Sequence, residues 1–162
     1  MGRTEERMGE KTEGYFHVGI VVPDLERAAA YYADLLGIEW GPVLDLTVDV
    51  RLADGGDRSL PNRIVYSTGH PRIELIEEVP GSPWVCNEHS NLHHIGFFSG
   101  SLAADADRLV AAACPLEMTG GRGDGPPETF AYHRDPWGVR LELVDDALRP
   151  TMETFMFRAP GA

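Results

Sequence analysis

The chain has 162 residues, 43% of them hydrophobic and 25% charged, which is enough for one compact domain or two small modules that share an interface. Its formal net charge of -12 argues against nucleic acid as a partner, because phosphate binding needs a basic surface. No run of about 18 apolar residues is present, so neither a transmembrane helix nor a membrane partner is expected.

Residues 1–13 are charged and lack the apolar core of a secretion signal. We therefore expect a disordered leader in a cytoplasmic protein. Cys86 and Cys114 stand alone without a CxxC spacing, so we interpret both as reduced thiols.

The first predicted module, residues 14–84, begins with a strand and a helix. The run from Phe16 to Val22 is typical of a strand that alternates between two faces. Asp24 is a favourable helix N-cap, and the Ala-rich residues 25–36 predict an amphipathic helix. Gly37 is placed to end that helix.

Strands and turns follow this helix to the end of the first module. Alternation of apolar and polar residues predicts strands at residues 43–52, 64–67 and 72–77. Residues 53–61, A-D-G-G-D-R-S-L-P, are rich in turn formers and predict a turn or a longer loop.

The same order of elements repeats in a second module, residues 92–146, after a linker at residues 85–91. The predicted elements are a strand at 92–98, a helix capped by Ser99 or Ser101 that ends near Cys114, a flexible loop at 120–127, and strands at 129–133 and 139–145. The chain is therefore predicted to be an α+β protein built as a tandem of β-α-β-β-β modules. Residues 147–162 form an apolar tail that we expect to dock on its own domain or on a second subunit.

Each module contains one hexapeptide that carries a glutamate in the middle of a predicted strand. The two hexapeptides read R-I-E-L-I-E at residues 72–77 and R-L-E-L-V-D at residues 140–145. Alternation puts Glu74 and Glu142 on the face opposite the aliphatic residues. A carboxylate in mid-strand loses its water unless a partner compensates, and a metal ion is one such partner.

A histidine in the first strand of each module completes this repeated pattern. His17 and His94 occupy equivalent places and share a face with the two glutamates. Two imidazoles and two carboxylates suit one divalent ion such as Co, Ni, Mn, Fe or Zn, with two positions left for water or substrate. The alternative is four polar residues on a solvated face, but the repetition of the pair favours a metal site.

Several stretches of the sequence resemble the vicinal oxygen chelate superfamily, which includes glyoxalase I, methylmalonyl-CoA epimerase, extradiol dioxygenases and antibiotic resistance proteins. These stretches are H-V-G-I-V-V-P-D-L-E-R-A-A-A-Y-Y-A-D-L-L-G, R-I-E-L-I-E, H-H-I-G-F and D-P-W-G-V-R-L-E-L-V. The resemblance implies a curved mixed sheet with a metal in its cup. It implies that the metal ligands are His17, Glu74, His94 and Glu142.

The resemblance implies the reaction less specifically than it implies the fold. The ligand quartet is similar to that of bacterial glyoxalase I, whereas P-G-S-P-W after Glu77 is closer to the epimerase branch. We predict an epimerase, isomerase or lyase that acts through a metal-stabilised enolate of a small carbonyl or acyl-thioester substrate. The alternatives are a small-molecule (antibiotic) binding protein, metal-free or metal-assisted, and an extradiol-type dioxygenase.

Within this prediction Glu142 is the first candidate for the catalytic base, and Glu74 is the second, for return of the proton. The candidate substrate-binding residues are Arg72, Arg140, Tyr132 and His133, although for any one of them taken singly an ordinary strand surface is the favoured interpretation. Strand alternation puts only one of Tyr132 and His133 in the cup, and it makes His93 face away from His94. A homodimer is expected.

Overall fold

Two copies of a β-α-β-β-β unit follow one another in the computed structural model, which describes residues 14–161. The first unit consists of β1 (Tyr15–Val22), α1 (Leu25–Leu36), β2 (Leu44–Leu52), β3 (Asp57–Tyr66) and β4 (Arg72–Glu77). The second consists of β5 (Leu92–Ser99), α2 (Leu102–Ala111), β6 (Leu116–Gly120), β7 (Glu128–Arg134) and β8 (Arg140–Asp145). The leader predicted for residues 1–13 lies outside the described part of the chain.

The strands form one closed, mixed sheet in the order β1-β4-β3-β2-β6-β7-β8-β5. The pairs β1–β4 and β5–β8 are parallel, and the other neighbours are antiparallel. The predicted α+β fold with a curved mixed sheet is confirmed. Because β1 pairs with β5, the first strands of the two units lie side by side at the centre of the row β4-β1-β5-β8.

The two helices cover the outer face of the sheet. The Asp24 side chain accepts a hydrogen bond from the Arg27 N–H at 2.9 Å, and Gly37 ends α1 with a left-handed φ of 66°. The bounds predicted for this helix are therefore confirmed. Leu25 packs beneath it against Val65 and Leu75. None of the helices in residues 14–161 is long and apolar enough to span a membrane.

The loop predicted at residues 53–61 is shorter than expected, because β3 begins at Asp57 and runs through Pro61. Pro61 pairs with Thr47 of β2, whereas β4 pairs only with residues 64–66 of β3. The missing N–H of the proline therefore lies beside no second strand, which is where a strand tolerates proline.

The C-terminal segment, residues 146–157, folds over the opening of the sheet. It contains a 3₁₀ turn at Asp146–Leu148, a short helical stretch at Arg149–Thr151 and a π-helical turn at Met152–Met156. Met152 and Phe157 are buried with the side chains that fill the inside of the barrel. The segment therefore docks on its own chain.

Candidate metal centre

Four side chains from four adjacent strands converge inside the barrel. His17 (β1), Glu74 (β4), His94 (β5) and Glu142 (β8) each offer one ligand atom, and these atoms lie within 4.8 Å of one another. The two imidazole Nε2 atoms are 2.7 Å apart. Oε2 of Glu74 lies 3.3 and 3.2 Å from them, and Oε2 of Glu142 lies 3.1 Å from each. All four side chains come from one chain and are buried.

The donor set fits a divalent metal ion. Apart from these contacts with the imidazoles, the two Oε2 atoms have no hydrogen-bond partner within residues 14–161, although both are buried. A buried carboxylate oxygen without a partner is costly, and a cation removes that cost. Donors about 2.1 Å from one octahedral ion lie about 3 Å apart, close to the spacing seen here. Nitrogen and oxygen donors together suit Co, Ni, Mn, Fe or Zn.

Charges within the cluster shift its pKa values strongly. Burial lowers the pKa of His94, but the carboxylates of Glu142 and Glu74 raise it by more, to about 9. They raise the pKa of His17 in the same way. Burial raises the pKa of each glutamate, and the imidazoles lower it by more. Without a cation, His94 therefore carries an extra proton at neutral pH, and a metal must displace it.

Two glycines make room for the two imidazoles. Gly96 of β5 pairs with His17 of β1, and Gly19 of β1 pairs with His94 of β5. A Cβ atom built on Gly96 would overlap the ring of His17, and one built on Gly19 would overlap the ring of His94. The motif His-x-Gly, present once in each module, therefore lets each imidazole cross over the partner strand.

His93 does not face away from His94, so the prediction from strand alternation was wrong for this residue. The rings of His93 and His94 both contact Tyr132, at centroid distances of 5.5 and 5.2 Å. The register between β1 and β5 shifts between Gly19 and Ile20, which pair with His94 and Leu92 and leave His93 as the extra residue of a bulge. A bulge interrupts the alternation of side chains and turns one of them to the other face.

Two tyrosines stand beside the two glutamates in equivalent positions. Tyr66 of β3 pairs with Glu74, and Tyr132 of β7 pairs with Glu142. Burial and the neighbouring glutamates raise the pKa of both tyrosines well above 10, so their hydroxyls stay protonated. Trp84 donates its Nε1–H to the Tyr132 hydroxyl at 3.1 Å. Tyr66 is not among the residues predicted from the sequence, although the repeat relates it to Tyr132.

Three of the predicted substrate-binding residues do not line the cavity beside the two carboxylates. His133 follows Tyr132 on β7 and points outward, with Nδ1 3.0 Å from the Cys114 carbonyl oxygen. Arg72 donates to the carbonyl oxygens of Ser67 and Thr68 and lies 4.0 Å from the centre of the Phe157 ring.

Arg140 is held by Glu117, with 2.6 Å between its Nε atom and Oε2 of that carboxylate. The guanidinium and imidazole groups of these three residues are therefore engaged in hydrogen bonds, an ion pair and a ring contact in this structure. Tyr132 alone of the four candidates joins the cavity beside the cluster.

A cavity of about 230 Å³ opens beside the two carboxylates. Its walls are mainly apolar and include Trp84, Phe130 and Val144, with polar groups from Asn62 and Tyr132. Met152 and Met156 of the C-terminal segment close one side. The volume is below the roughly 300–1,000 Å³ of pockets for drug-sized ligands, so the cavity suits a small acyl or carbonyl group.

Comparison with known proteins gives three consistent findings. The family model described as Glyoxalase/Bleomycin resistance protein/Dioxygenase superfamily matches residues 16–132. An ethylmalonyl-CoA/methylmalonyl-CoA epimerase of Cereibacter sphaeroides is 31% identical over 135 residues, which cover 78% of this chain and 93% of that protein.

Solved structures with less sequence identity share the fold. The methylmalonyl-CoA epimerase of Mycobacterium tuberculosis has a TM-score of 0.53 at 23% identity, covering 93% of this chain and 96% of its own. A Streptomyces coelicolor epimerase variant in complex with 2-nitronate-propionyl-CoA has a TM-score of 0.53 at 20% identity, covering 83% and 97% of the two chains.

Proposed function

The chain belongs to the Glyoxalase/Bleomycin resistance protein/Dioxygenase superfamily, and from that premise we propose that it is a divalent-metal-dependent epimerase acting on an acyl-thioester substrate. The observation that carries this proposal is the convergence of four donor atoms from four strands, two of them buried carboxylate oxygens without other partners among residues 14–161. We propose His17, Glu74, His94 and Glu142 as the residues that hold the ion.

The bound ion would supply positive charge that stabilises the negative oxygen formed when a proton leaves the carbon beside a carbonyl group. The chain's own residues do the rest. Glu142 borders the cavity, and its lowered pKa keeps it ionised at neutral pH, which is the state that a base needs. We assign removal of the proton to Glu142 and its return to Glu74.

The tyrosines and the apolar walls assist this chemistry. The hydroxyls of Tyr66 and Tyr132 stay protonated, so they can donate hydrogen bonds to a substrate oxygen. The mainly apolar cavity excludes water from the reacting carbon. Among residues 14–161, Glu74 and Glu142 are the only carboxylates that line this cavity, which supports the assignment of the base to one of these two.

The substrate class follows from the size of the cavity and from the relatives. A cavity of about 230 Å³ accommodates an acyl group but not a whole coenzyme A molecule, which would have to extend outward. A relative that is 31% identical over 93% of its own length is an ethylmalonyl-CoA/methylmalonyl-CoA epimerase. We therefore propose branched malonyl-CoA thioesters as the first substrates to test.

A ring-cleaving dioxygenase is the second candidate, and the donor set disfavours it. Four protein donors leave two positions on a six-coordinate ion, too few for a bidentate catecholate together with oxygen. Cytoplasmic location and homodimer formation stay predictions. Since one chain supplies all four donors, the site does not need a second subunit.

The proposal is tested by metal content and solvent deuterium exchange on the same samples. The protein is stripped with a chelator, reloaded with Co, Ni, Mn or Zn, and incubated in heavy water with methylmalonyl-CoA or ethylmalonyl-CoA. We expect one ion per chain and incorporation of deuterium at the carbon between the carbonyl groups, only after reloading.

Matched histidine variants complete the test. His17→Ala and His94→Ala should lose the ion, whereas His89→Ala, whose side chain is 87% exposed, should keep it. Absence of a stoichiometric ion in every reloaded sample would refute the metal centre. Binding of an ion without exchange in any thioester would point to a binding protein instead.

A further inference from the structure

His93 links the cluster to the backbone of the segment between β4 and β5. Its Nε2 atom lies 2.8 Å from the Pro83 carbonyl oxygen, and its Nδ1 atom lies 2.9 Å from Nδ1 of His94. The Nε2 atom of His94 is one of the four converging donors. His93 is also buried, with 8% of its surface exposed, which limits competition from water for these contacts.

These contacts determine which nitrogen of each ring carries a proton. A carbonyl oxygen can only accept a hydrogen bond, so Nε2 of His93 must carry the hydrogen. In the neutral ring of His93, Nδ1 is then an acceptor, and the proton between the rings belongs to Nδ1 of His94. In the neutral ring of His94, which is the form that binds a metal, Nε2 is therefore left with a free lone pair that points at the cluster.

We propose that His93 is a positioning residue that holds His94 in the tautomer and orientation in which its Nε2 atom can bind a metal. This inference rests on the proposed metal-dependent function. His93 would act as an outer hydrogen-bond partner that fixes the ring of the ligating histidine. Loss of such a partner commonly lowers metal affinity by about 10–100-fold. The bulge at His93 turns its ring toward His94 and so makes this contact possible.

The first module lacks a residue that plays the part of His93 beside its own histidine, His17. Its register also shifts, between Tyr15 and His17, and the residue there is Phe16. Phe16 stacks on Phe98 with ring centroids 3.8 Å apart, and Nδ1 of His17 has no hydrogen-bond partner within residues 14–161. The two halves of the site are therefore unequal, and only the second-module histidine has its tautomer fixed.

The first test compares two substitutions of the same residue. His93→Phe installs the residue found at the equivalent place in the first module and removes the acceptor. His93→Asn is the matched control, because its carboxamide oxygen can accept from Nδ1 of His94. We expect Co(II) titrations to show affinity lowered about 10–100-fold in His93→Phe and largely restored in His93→Asn.

The second test uses the unaltered protein loaded with Zn(II), so it does not depend on a variant that folds. Long-range proton–nitrogen NMR correlations of the imidazoles should show a proton on Nε2 of His93 and on Nδ1 of His94. A proton on Nδ1 of His93 would overturn the inference. A folded His93→Phe protein with unchanged Co(II) affinity would overturn it as well, as would a folded His93→Asn protein as weak as His93→Phe.

These outcomes are distinct from failure of the proposed function. If the unaltered protein binds neither Co(II) nor Zn(II), the metal centre itself is refuted. If it binds one ion per chain but the tautomers differ from those stated, the proposed metal centre is supported and the proposed role of His93 is refuted.

Discussion

Glu142 is held by both imidazoles and borders the cavity, so the same carboxylate can serve the ion and a substrate carbon. Glu142→Gln keeps the size of the side chain and one oxygen but removes the base. We expect it to retain much of its metal and to lose solvent deuterium exchange by about 10²–10⁴-fold. Metal content and exchange should be measured on the same sample, with Glu74→Gln beside it. Undiminished exchange in metal-loaded Glu142→Gln would move the base to Glu74.

Gly96 controls the position of His17 through the space that it leaves. Gly96→Ala should displace the imidazole and lower metal affinity at least about 10-fold, because a methyl group would overlap the ring and ligand geometry would be lost. Gly100→Ala is the matched control, since a Cβ atom there meets nothing within 4 Å. Equilibrium dialysis with Zn(II) measures the difference. Equal affinities in the two variants would mean that the imidazole can shift without loss of the site.

At the level of elements, the C-terminal segment is attached to the barrel by buried aromatic contacts. The ring of Phe157 lies 5.1 Å from that of Tyr66 and 4.0 Å from the guanidinium of Arg72. Phe157→Ala should release the segment and expose Met152, which closes the cavity. The substitution should lower the free energy of unfolding by up to about 3–5 kcal/mol, the range for removing a buried Phe side chain.

Limited proteolysis and hydrogen exchange of residues 146–157 provide the measurement for this prediction. Phe155→Ala is the matched control, because that ring is 65% exposed and its loss should change stability by less than about 0.5 kcal/mol. Identical protection of the segment in the two variants would show that Phe157 does not hold it.

The elements with a local physical signature could be predicted from the sequence. Helix α1 has an N-cap at Asp24 and a left-handed glycine at its end. Each of these signals depends only on a few neighbouring residues, so the sequence is enough to recognise it. The amphipathic pattern does not show where the covered face of this helix ends, because Leu35 and Leu36 in its last turn are 61% and 62% exposed.

The convergence of the four side chains could be predicted from the sequence, but the arrangement of the residues around them could not. The repeated His and Glu positions follow from strand alternation, and the structure brings the four side chains together. The bulge that turns His93 inward depends on how β1 pairs with β5, a contact between residues about 75 apart. Alternation within one strand carries no information about such a register shift.

At the level of the whole molecule, the cluster joins the two modules. His17 and Glu74 come from the first module, His94 and Glu142 from the second, so an ion would hold both halves of the barrel. A ligand that binds only the folded state stabilises it by about 2.7 kcal/mol at 100 times its Kd. For a chain of this size we expect Tm to rise by roughly 5–10 °C upon loading.

The rise in Tm upon metal loading should depend on pH, because in the metal-free protein a proton stabilises the cluster in place of the ion. The pKa of His94 is raised to about 9 in the folded protein, against about 6.5 for an unperturbed histidine. The stability that this proton contributes is complete below pH 6.5 and is lost as pH rises through 9. In the metal-loaded protein the ion replaces the proton, so the Tm of that protein should change little over this range.

Calorimetry of stripped and Zn(II)-loaded protein from pH 6 to 9 measures this effect. The difference in Tm between the two samples should widen as pH rises. A gap that stays constant, or that narrows, would mean that His94 is not protonated in the metal-free fold.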